Sequence, residues 1–281
     1  MSDSLAPREI VENLITIGAA KSRYAIPDLL IRGSLSGALL AFGTSLALLV
    51  SSQTHVPFVG ALVFPVGFAI IVILGLELLT SNFGIVPLAV LARRATLNQL
   101  LSNWAWVFIG NFIGALIYAA LLYVTLTEAG HTAAGVLGDQ IRALAEAKTL
   151  PYAQNGDAGL LTAFAKAILC NWMVCLGAIL GNSSTSMTGR VLGCWLAIFS
   201  FFALGFEHSV VNLFVIPLGI ALGARITVYD WWYWNEIPVL IGNVVGGLAI
   251  CVALYATYKR DVPARDVSQS AATQSQLGSK T

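Results

Sequence analysis

Two titratable side chains stand next to each other in the segment GFEHSVVN, residues 205–212, within a stretch that is otherwise almost wholly apolar. An imidazole such as His208 can donate a hydrogen bond to a small anion or pass a proton to it. The carboxylate of Glu207 can accept hydrogen bonds from backbone groups that a distorted helix leaves free. Because ionisable side chains are costly in an apolar medium, these residue types indicate a conduction path or a break in a buried helix.

The composition shows what kind of chain surrounds this segment. Of the 281 residues, 57% are hydrophobic and only 10% are charged, and the mean hydropathy is +0.80. Soluble domains carry about 25% charged residues, so the composition favours an all-α multispan protein in a lipid bilayer over one large soluble core. The net charge of +1 argues against nucleic acid as a partner.

Six apolar stretches are each long enough to cross a bilayer, because a span needs about 20 helical residues. They cover residues 29–50, 57–92, 103–126, 159–181, 191–222 and 237–258. The second and fifth exceed 30 residues and contain polar interruptions, each followed by a proline, Pro87 or Pro217. Each of these two is therefore predicted to be a pair of half-helices around an irregular turn.

The distribution of Lys and Arg predicts the orientation. Eleven of these residues fall on the side of the two termini and four on the other side, which places both termini in the cytoplasm of a multi-pass plasma (inner) membrane protein. We expect an amphipathic cytoplasmic helix in residues 1–27, a six-span domain in 28–260 with an outer loop at 127–158, and a disordered cytoplasmic tail in 261–281.

The four cysteines, at positions 170, 175, 194 and 251, all lie in predicted spans and form no CxxC pair. They are interpreted as small apolar packing residues. Neither a metal site nor a cofactor is expected, because thiolate ligands need closer spacing and a polar surround.

An internal repeat relates the two interrupted spans. GLELLTSN at 75–82 and GFEHSVVN at 205–212 share Gly, Glu and Asn at the same places, with a shift of 130 positions. VFIGNFIGALIYAALLY at 107–123 and VLIGNVVGGLAICVALY at 239–255 match with a shift of 132. Two matches at nearly the same shift indicate that the chain consists of two copies of one unit.

Each copy, about residues 28–126 and 159–258, contains three predicted spans. Because three is odd, the second copy must enter the membrane in the opposite orientation, which makes this an inverted 3+3 repeat. Such repeats bring two broken helices together near the bilayer centre, where half-helix N-termini offer a site for an anion.

The polar residues of the two breaks have a structural interpretation. Glu77 and Glu207 are predicted to accept hydrogen bonds from freed backbone N–H groups or from Asn82 and Asn212.

His208 breaks the symmetry of the repeat, because Leu78 occupies its place in the first copy. A lone histidine is often a merely satisfied polar residue, but at the break of a central half-helix it favours a role in conduction.

The motifs GLELLTSN, ILCNWMVCLG, GFEHSVVNLFVIPLG and IPVLIGNVVGGL resemble, in this order, the broken second helix, fourth helix, broken fifth helix and sixth helix of the formate/nitrite transporter family. The resemblance covers about residues 5–260. It implies an aquaporin-like six-helix protomer and a homopentamer with one pore per protomer. The implied function is the passage of small monovalent anions such as formate or nitrite, together with protons.

The resemblance also implies which residues form the pore. Thr80 and His208 would flank its centre, and Asn171 would contribute a hydrogen bond nearby. The implied apolar constrictions consist of Phe68, Leu78 and Val174 in one and of Phe64 and Phe201 in the other.

One position departs from the family pattern, in which a lysine stands in the outer vestibule just before the fourth helix. Counting back without gaps reaches Asn155, while Lys148 precedes it and Lys166 follows it. All three are vestibule candidates. Because position 155 carries no lysine, bicarbonate, hydrosulfide and lactate remain alternative substrates.

Three other functions compete with that of an anion channel. An intramembrane enzyme would use Ser209 beside His208, but neighbours on a helix point about 100° apart and no nucleophile elbow is found. A water or glycerol pore would carry paired NPA boxes, which the sequence lacks. Ammonium channels have more than six spans.

Overall fold

The computed structural model describes residues 4–258, and the regular structure in that range is helical apart from one isolated β-bridge between Ser4 and Ser184. The expected tail at 261–281 lies outside the described residues. The helices of the first copy are α1 Pro7–Lys21, α2 Ile26–Thr54, α3 Pro57–Val63, α4 Pro65–Ile73, α5 Leu79–Leu91 and α6 Leu97–Thr127. Those of the second are α7 Gly135–Ala147, α8 Leu150–Gln154, α9 Asp157–Gly181, α10 Met187–Ala203, α11 Ser209–Ala221, α12 Val228–Asp230, a π-helical turn Trp231–Glu236 and α13 Ile237–Tyr258.

Four helical segments are long and apolar enough to cross a membrane. Within residues 4–258 these are Ile26–Thr54, Leu97–Thr127, Asp157–Gly181 and Val228–Tyr258. The other two predicted spans are built from shorter apolar pieces, α3–α4 with α5 and α10 with α11. The described part of the chain is thus an all-α multispan membrane fold with broken second and fifth spans.

Glycine ends the first half of each broken span. Gly75 and Gly205 have φ angles of +63° and +64°, a left-handed conformation that residues with a Cβ adopt only at a cost. In both copies the following N–H groups bond back to the last helical turn, as at a helix C-terminus closed by glycine: Leu76 N–H donates to Ile71 O and Phe206 N–H to Phe201 O. The chain is then non-helical until α5 and α11 begin.

The repeat unit contains more than the three predicted spans. Helix α1 packs against α5, and α7, which lies in the predicted outer loop, packs against α11 in the same way. Each buries its apolar face, with Leu14 and Ile141 fully inaccessible to solvent. A lysine ends each helix: Lys21 is the last residue of α1 and Lys148 follows α7. The N-terminal amphipathic helix therefore belongs to the core of the first copy.

Small residues allow the long spans of each copy to approach closely. α2 packs on α6 and α9 packs on α13. A Cβ added at Gly33 would lie 3.1 Å from the Cα of Gly110, and one added at Gly246 would lie 2.5 Å from Ile168 O. Such contacts are typical of helix packing in membranes, where apolar burial between helices contributes little.

We expect Gly37→Val to destabilise the fold by about 1–3 kcal/mol, because a Cβ at Gly37 would overlap the carbonyl oxygen of Asn111 on α6. The measurement is the apparent melting temperature of the purified protein in detergent. Leu35→Val, at a half-exposed position on the same helix, is the matched control and is expected to melt close to the wild type. Equal melting temperatures for the two variants would contradict this packing.

Candidate functional site

An asparagine bridges the first helix break. The N–H of Leu79, which starts α5, donates to Asn111 Oδ1 at 2.9 Å. The Nδ2 of the same asparagine donates to Gly33 O and to Glu77 O, both at 2.9 Å. One buried side chain thus satisfies a freed backbone donor and a freed carbonyl of the break.

The second break is closed in the same way. Ser209 N–H, at the start of α11, donates to Asn243 Oδ1 at 2.9 Å. Asn243 Nδ2 donates to Ala167 O at 2.8 Å and to Glu207 O at 3.0 Å. These asparagines were not among the predicted site residues. The tripeptide IGN, which both matching spans share, could have indicated them.

The glutamate of the first break is buried and paired with a lysine. Glu77 accepts from Lys21 Nζ at 2.6 Å, from Asn82 Nδ2 at 2.7 Å and from Asn103 Nδ2 at 3.4 Å. Glu77 was predicted to accept either from Asn82 or from a freed backbone N–H group. It accepts from Asn82, and the freed N–H of Leu79 donates to Asn111 instead. The lysine was not foreseen.

Glu207 has an equivalent but larger set of partners. It accepts from Lys148 Nζ at 2.8 Å, Asn212 Nδ2 at 2.9 Å, Tyr152 OH at 2.8 Å and Asn235 Nδ2 at 3.3 Å. Only 2% of the residue is exposed. The buried carboxylate is thus neutralised by one cation and fully supplied with donors, as a buried ion pair requires.

His208 lies at the start of the second half-helix and contacts the first. Its Nδ1 accepts the N–H of Val211 at 3.2 Å, so in the neutral ring the proton is on Nε2. The Nε2 lies 3.0 Å from Thr80 Oγ1 and donates to it. The ring also stacks on Phe201, with centroids 5.5 Å apart. A neutral imidazole is thereby held in one tautomer against a hydroxyl of the other copy.

Asn171 bonds to the backbone next to the His208–Thr80 pair. Its Nδ2 donates to Thr80 O at 3.2 Å and to Asn243 O at 2.6 Å. Its Oδ1 is buried and makes no hydrogen bond within residues 4–258. Asn171 therefore fixes the backbone that carries Thr80 and keeps one free acceptor.

The apolar residues implied as constrictions are all buried. Leu78 and Phe201 each line a cavity, whereas Phe64 packs edge-on against Phe201 at 5.6 Å between centroids. Phe202 was not predicted, yet it stacks on Phe64 at 4.0 Å and lines the same cavity as Phe201. The remaining two, Phe68 and Val174, belong to the same buried core and line neither cavity.

Two cavities adjoin the helix breaks. The cavity of about 430 Å³ beside the second break is called the His208 cavity. The one of about 310 Å³ beside the first break is called the Leu78 cavity. His208 and Leu78 correspond in the repeat and line one cavity each, so the cavities are related as the two copies are. The lining includes Lys148, Lys166, Tyr152, Glu207, Phe201 and Phe202 in the His208 cavity and Lys21, Arg190, Tyr24, Ser81 and Asn182 in the Leu78 cavity.

The three vestibule candidates occupy different places. Asn155 is exposed and does not line the His208 cavity. Lys148 lines the cavity and is paired with Glu207. Lys166 also lines it, with Nζ 5.7 Å from the ring centroid of Tyr152, and has no carboxylate within 4.0 Å in the described part of the chain. The helix α8 lies between Lys148 and α9.

A sequence model of the formate/nitrite transporter family matches residues 8–257. The chain belongs to the formate/nitrite transporter family. It is 36% identical to the probable formate transporter of Methanothermobacter thermautotrophicus over 269 residues, which cover 89% of this chain and 95% of that protein. It is 34% identical to the formate channel of Bacillus thuringiensis, over 90% of this chain and 96% of that protein. A solved structure described as a pentameric formate channel with formate bound aligns with a TM-score of 0.70 and 25% identity, covering 84% of this chain and 98% of that chain.

Membership of the formate/nitrite transporter family makes this an integral membrane transport protein and not an enzyme. The hydroxyl of Ser209, the nucleophile considered for an enzyme, is fully buried and donates to Glu236. The four cysteines are free and buried, as expected of packing residues.

We expect Lys148→Met to lower stability by about 3–5 kcal/mol, because it leaves the carboxylate of Glu207 buried without a cation. Apparent melting temperatures in detergent measure the effect. Arg142→Gln is the control: its pair with Asp139 is solvent-exposed, with 45% and 64% of the two side chains accessible, and is worth less than about 1 kcal/mol. A Lys148→Met protein as stable as Arg142→Gln would show that the buried pair contributes nothing.

Proposed function

We propose that the protein is a homopentameric channel, with one pore in each protomer, that moves small monovalent anions, formate or nitrite, across the plasma (inner) membrane. The relatives named as formate channels and the pentameric formate channel of similar fold support the substrate class and the assembly. The observation that carries the proposal is the neutral His208 held against Thr80 between two half-helix starts.

The pore centre lowers the cost of removing an anion from water. The Nε2–H of His208 and the hydroxyl of Thr80 are donors that can turn to a passing anion. The positive ends of α5 and α11 add to their attraction. His208 supplies a hydrogen bond or a proton to the anion, and the phenylalanine rings around it exclude other charged solutes.

Cations in the His208 cavity bring anions to this centre. Lys148 is neutralised by Glu207, so its long-range field is small. Lys166 lines the same cavity without a carboxylate partner within residues 4–258. We therefore assign the main attraction to Lys166 and a shorter-range role to Lys148.

The orientation follows from the positive-inside rule. Basic residues described on the α1 side include Arg23, which donates to Arg94 O, and Arg190, which donates to Val72 O. With this side in the cytoplasm, the Leu78 cavity opens inward and the His208 cavity opens outward.

We expect His208→Phe to abolish formate and nitrite flux while leaving the pentamer assembled, because phenylalanine keeps the packing against Phe201 but removes the hydrogen bond and the proton. Flux into proteoliposomes and size-exclusion elution measure the two effects. His131→Phe, at an exposed position, is the matched control. Normal uptake of both anions by an assembled His208→Phe protein would refute the central role. The same vesicles, supplied with bicarbonate, hydrosulfide, lactate or water, test the alternative substrates.

We expect Lys166→Met to raise the anion concentration needed for half-maximal flux several-fold at low salt, because a positive charge near the entrance concentrates anions. The difference should shrink at physiological ionic strength, where charges are screened over about 8 Å. Arg142→Gln removes an exposed cation that does not line the cavity and is expected to change little. A salt-independent effect of Lys166→Met would argue for a packing defect instead.

A further inference from the structure

The buried carboxyl group of Glu236 lies close to the pore centre, and the proposed path of the anion does not use it. Glu236 ends the π-helical turn before α13 and is fully inaccessible to solvent. Its Oε1 accepts a hydrogen bond from Ser209 Oγ, and its Oε2 makes no hydrogen bond within residues 4–258. No Lys, Arg or His nitrogen of that range lies within 4.0 Å of it.

This pair is a second departure from the symmetry of the repeat. The residues before Glu236 and Trp104 fix how the two copies align here. Asn235 donates to Lys148 O, and Asn103 donates to Lys21 O in the same way. Trp104 therefore corresponds to Glu236, and its indole donates to Asn82 O instead. Only the copy that carries His208 has the carboxyl group.

Ser209 connects Glu236 to the pore. It is the first residue of α11 and directly follows His208, so the carboxyl group lies at the start of the half-helix whose positive end an anion would approach. An ionised carboxylate there would cancel part of that positive potential, whereas the neutral acid would leave it intact.

The surroundings of the Glu236 carboxyl group include features that favour its neutral form and features that favour its ionised form. Burial without a cation favours the neutral acid. The hydroxyl of Ser209, the nearby indole of Trp231 and the start of α11 favour the ionised form. The charged groups that face Glu236 are Glu207 and Lys148, which pair with each other. The other titratable groups at this break are His208 and Tyr152, bonded to Thr80 and to Glu207, and Cys170 of α9.

We propose that Glu236 is a protonatable positioning residue that controls anion passage: when neutral it permits flux, and when ionised it opposes it. This inference rests on the proposed anion-channel function. It predicts that flux falls with rising pH through the titration of Glu236, in addition to any effect of substrate protonation.

The test compares formate flux through wild-type and Glu236→Gln pentamers in proteoliposomes from weakly acidic to weakly alkaline pH. Because both proteins meet the same substrate at each pH, the ratio of their rates cancels substrate protonation. We expect the ratio of the Glu236→Gln rate to the wild-type rate to be near one at weakly acidic pH and to rise several-fold toward weakly alkaline pH. A ratio that stays constant over the range would overturn the proposal, and Glu128→Gln, an exposed position, should give that constant ratio.

A second variant and a second readout keep the outcome decisive. Ser209→Ala removes the donor that stabilises the ionised carboxylate, so the pH at which flux is halved should move upward; an unchanged midpoint would count against the proposal. Infrared difference spectra of the pentamer report the protonated carboxyl group directly, and its midpoint should move upward in Ser209→Ala. A carboxyl group that does not titrate would overturn the inference even if no anion were transported, whereas absent wild-type flux alone would refute the channel function.

Discussion

The fold depends on the need of backbone N–H and C=O groups for partners where no water is available. Two helix breaks violate this need at the centre of the domain. In each copy one asparagine, Asn111 or Asn243, accepts from the first N–H of the half-helix and donates to the carbonyl of the preceding glutamate. Irregular backbone is thereby tolerated, and two helix starts are held beside Thr80 and His208.

The carboxylates of the breaks impose a further constraint, because each must be neutralised where it is buried. Helices α1 and α7 supply the lysines for this purpose and dock their apolar faces on α5 and α11. What looked like a surface helix and an outer loop are therefore parts of the repeat unit. Each break is fixed both by a long span, through its asparagine, and by an amphipathic helix, through its lysine.

The two copies share this scaffold but differ in their chemistry. Asparagines, lysines and glutamates recur in both, so they serve the architecture. Departures from symmetry include Thr80 in place of Val210 on the first half-helix, and His208 in place of Leu78 and Glu236 in place of Trp104 around the start of the second. Both copies need the same asparagine, lysine and glutamate to stabilise their helix breaks. Positions outside this set can differ between the copies and can therefore acquire a function.

The sequence by itself determined the six spans, the two breaks, the inverted repeat and the family motifs, because hydropathy, glycine placement and repeated patterns are local properties. The repeat predicted a Glu–Asn pair at each break, and the family resemblance implied a pore centre between His208 and Thr80. It did not reveal that Lys21 and Lys148 neutralise the glutamates, that Lys148 lines the His208 cavity while Asn155 does not, or that Ser209 donates to Glu236. These contacts join residues that are 27 to 59 positions apart, and their formation depends on how helices pack and where a loop turns, which only the tertiary structure decided.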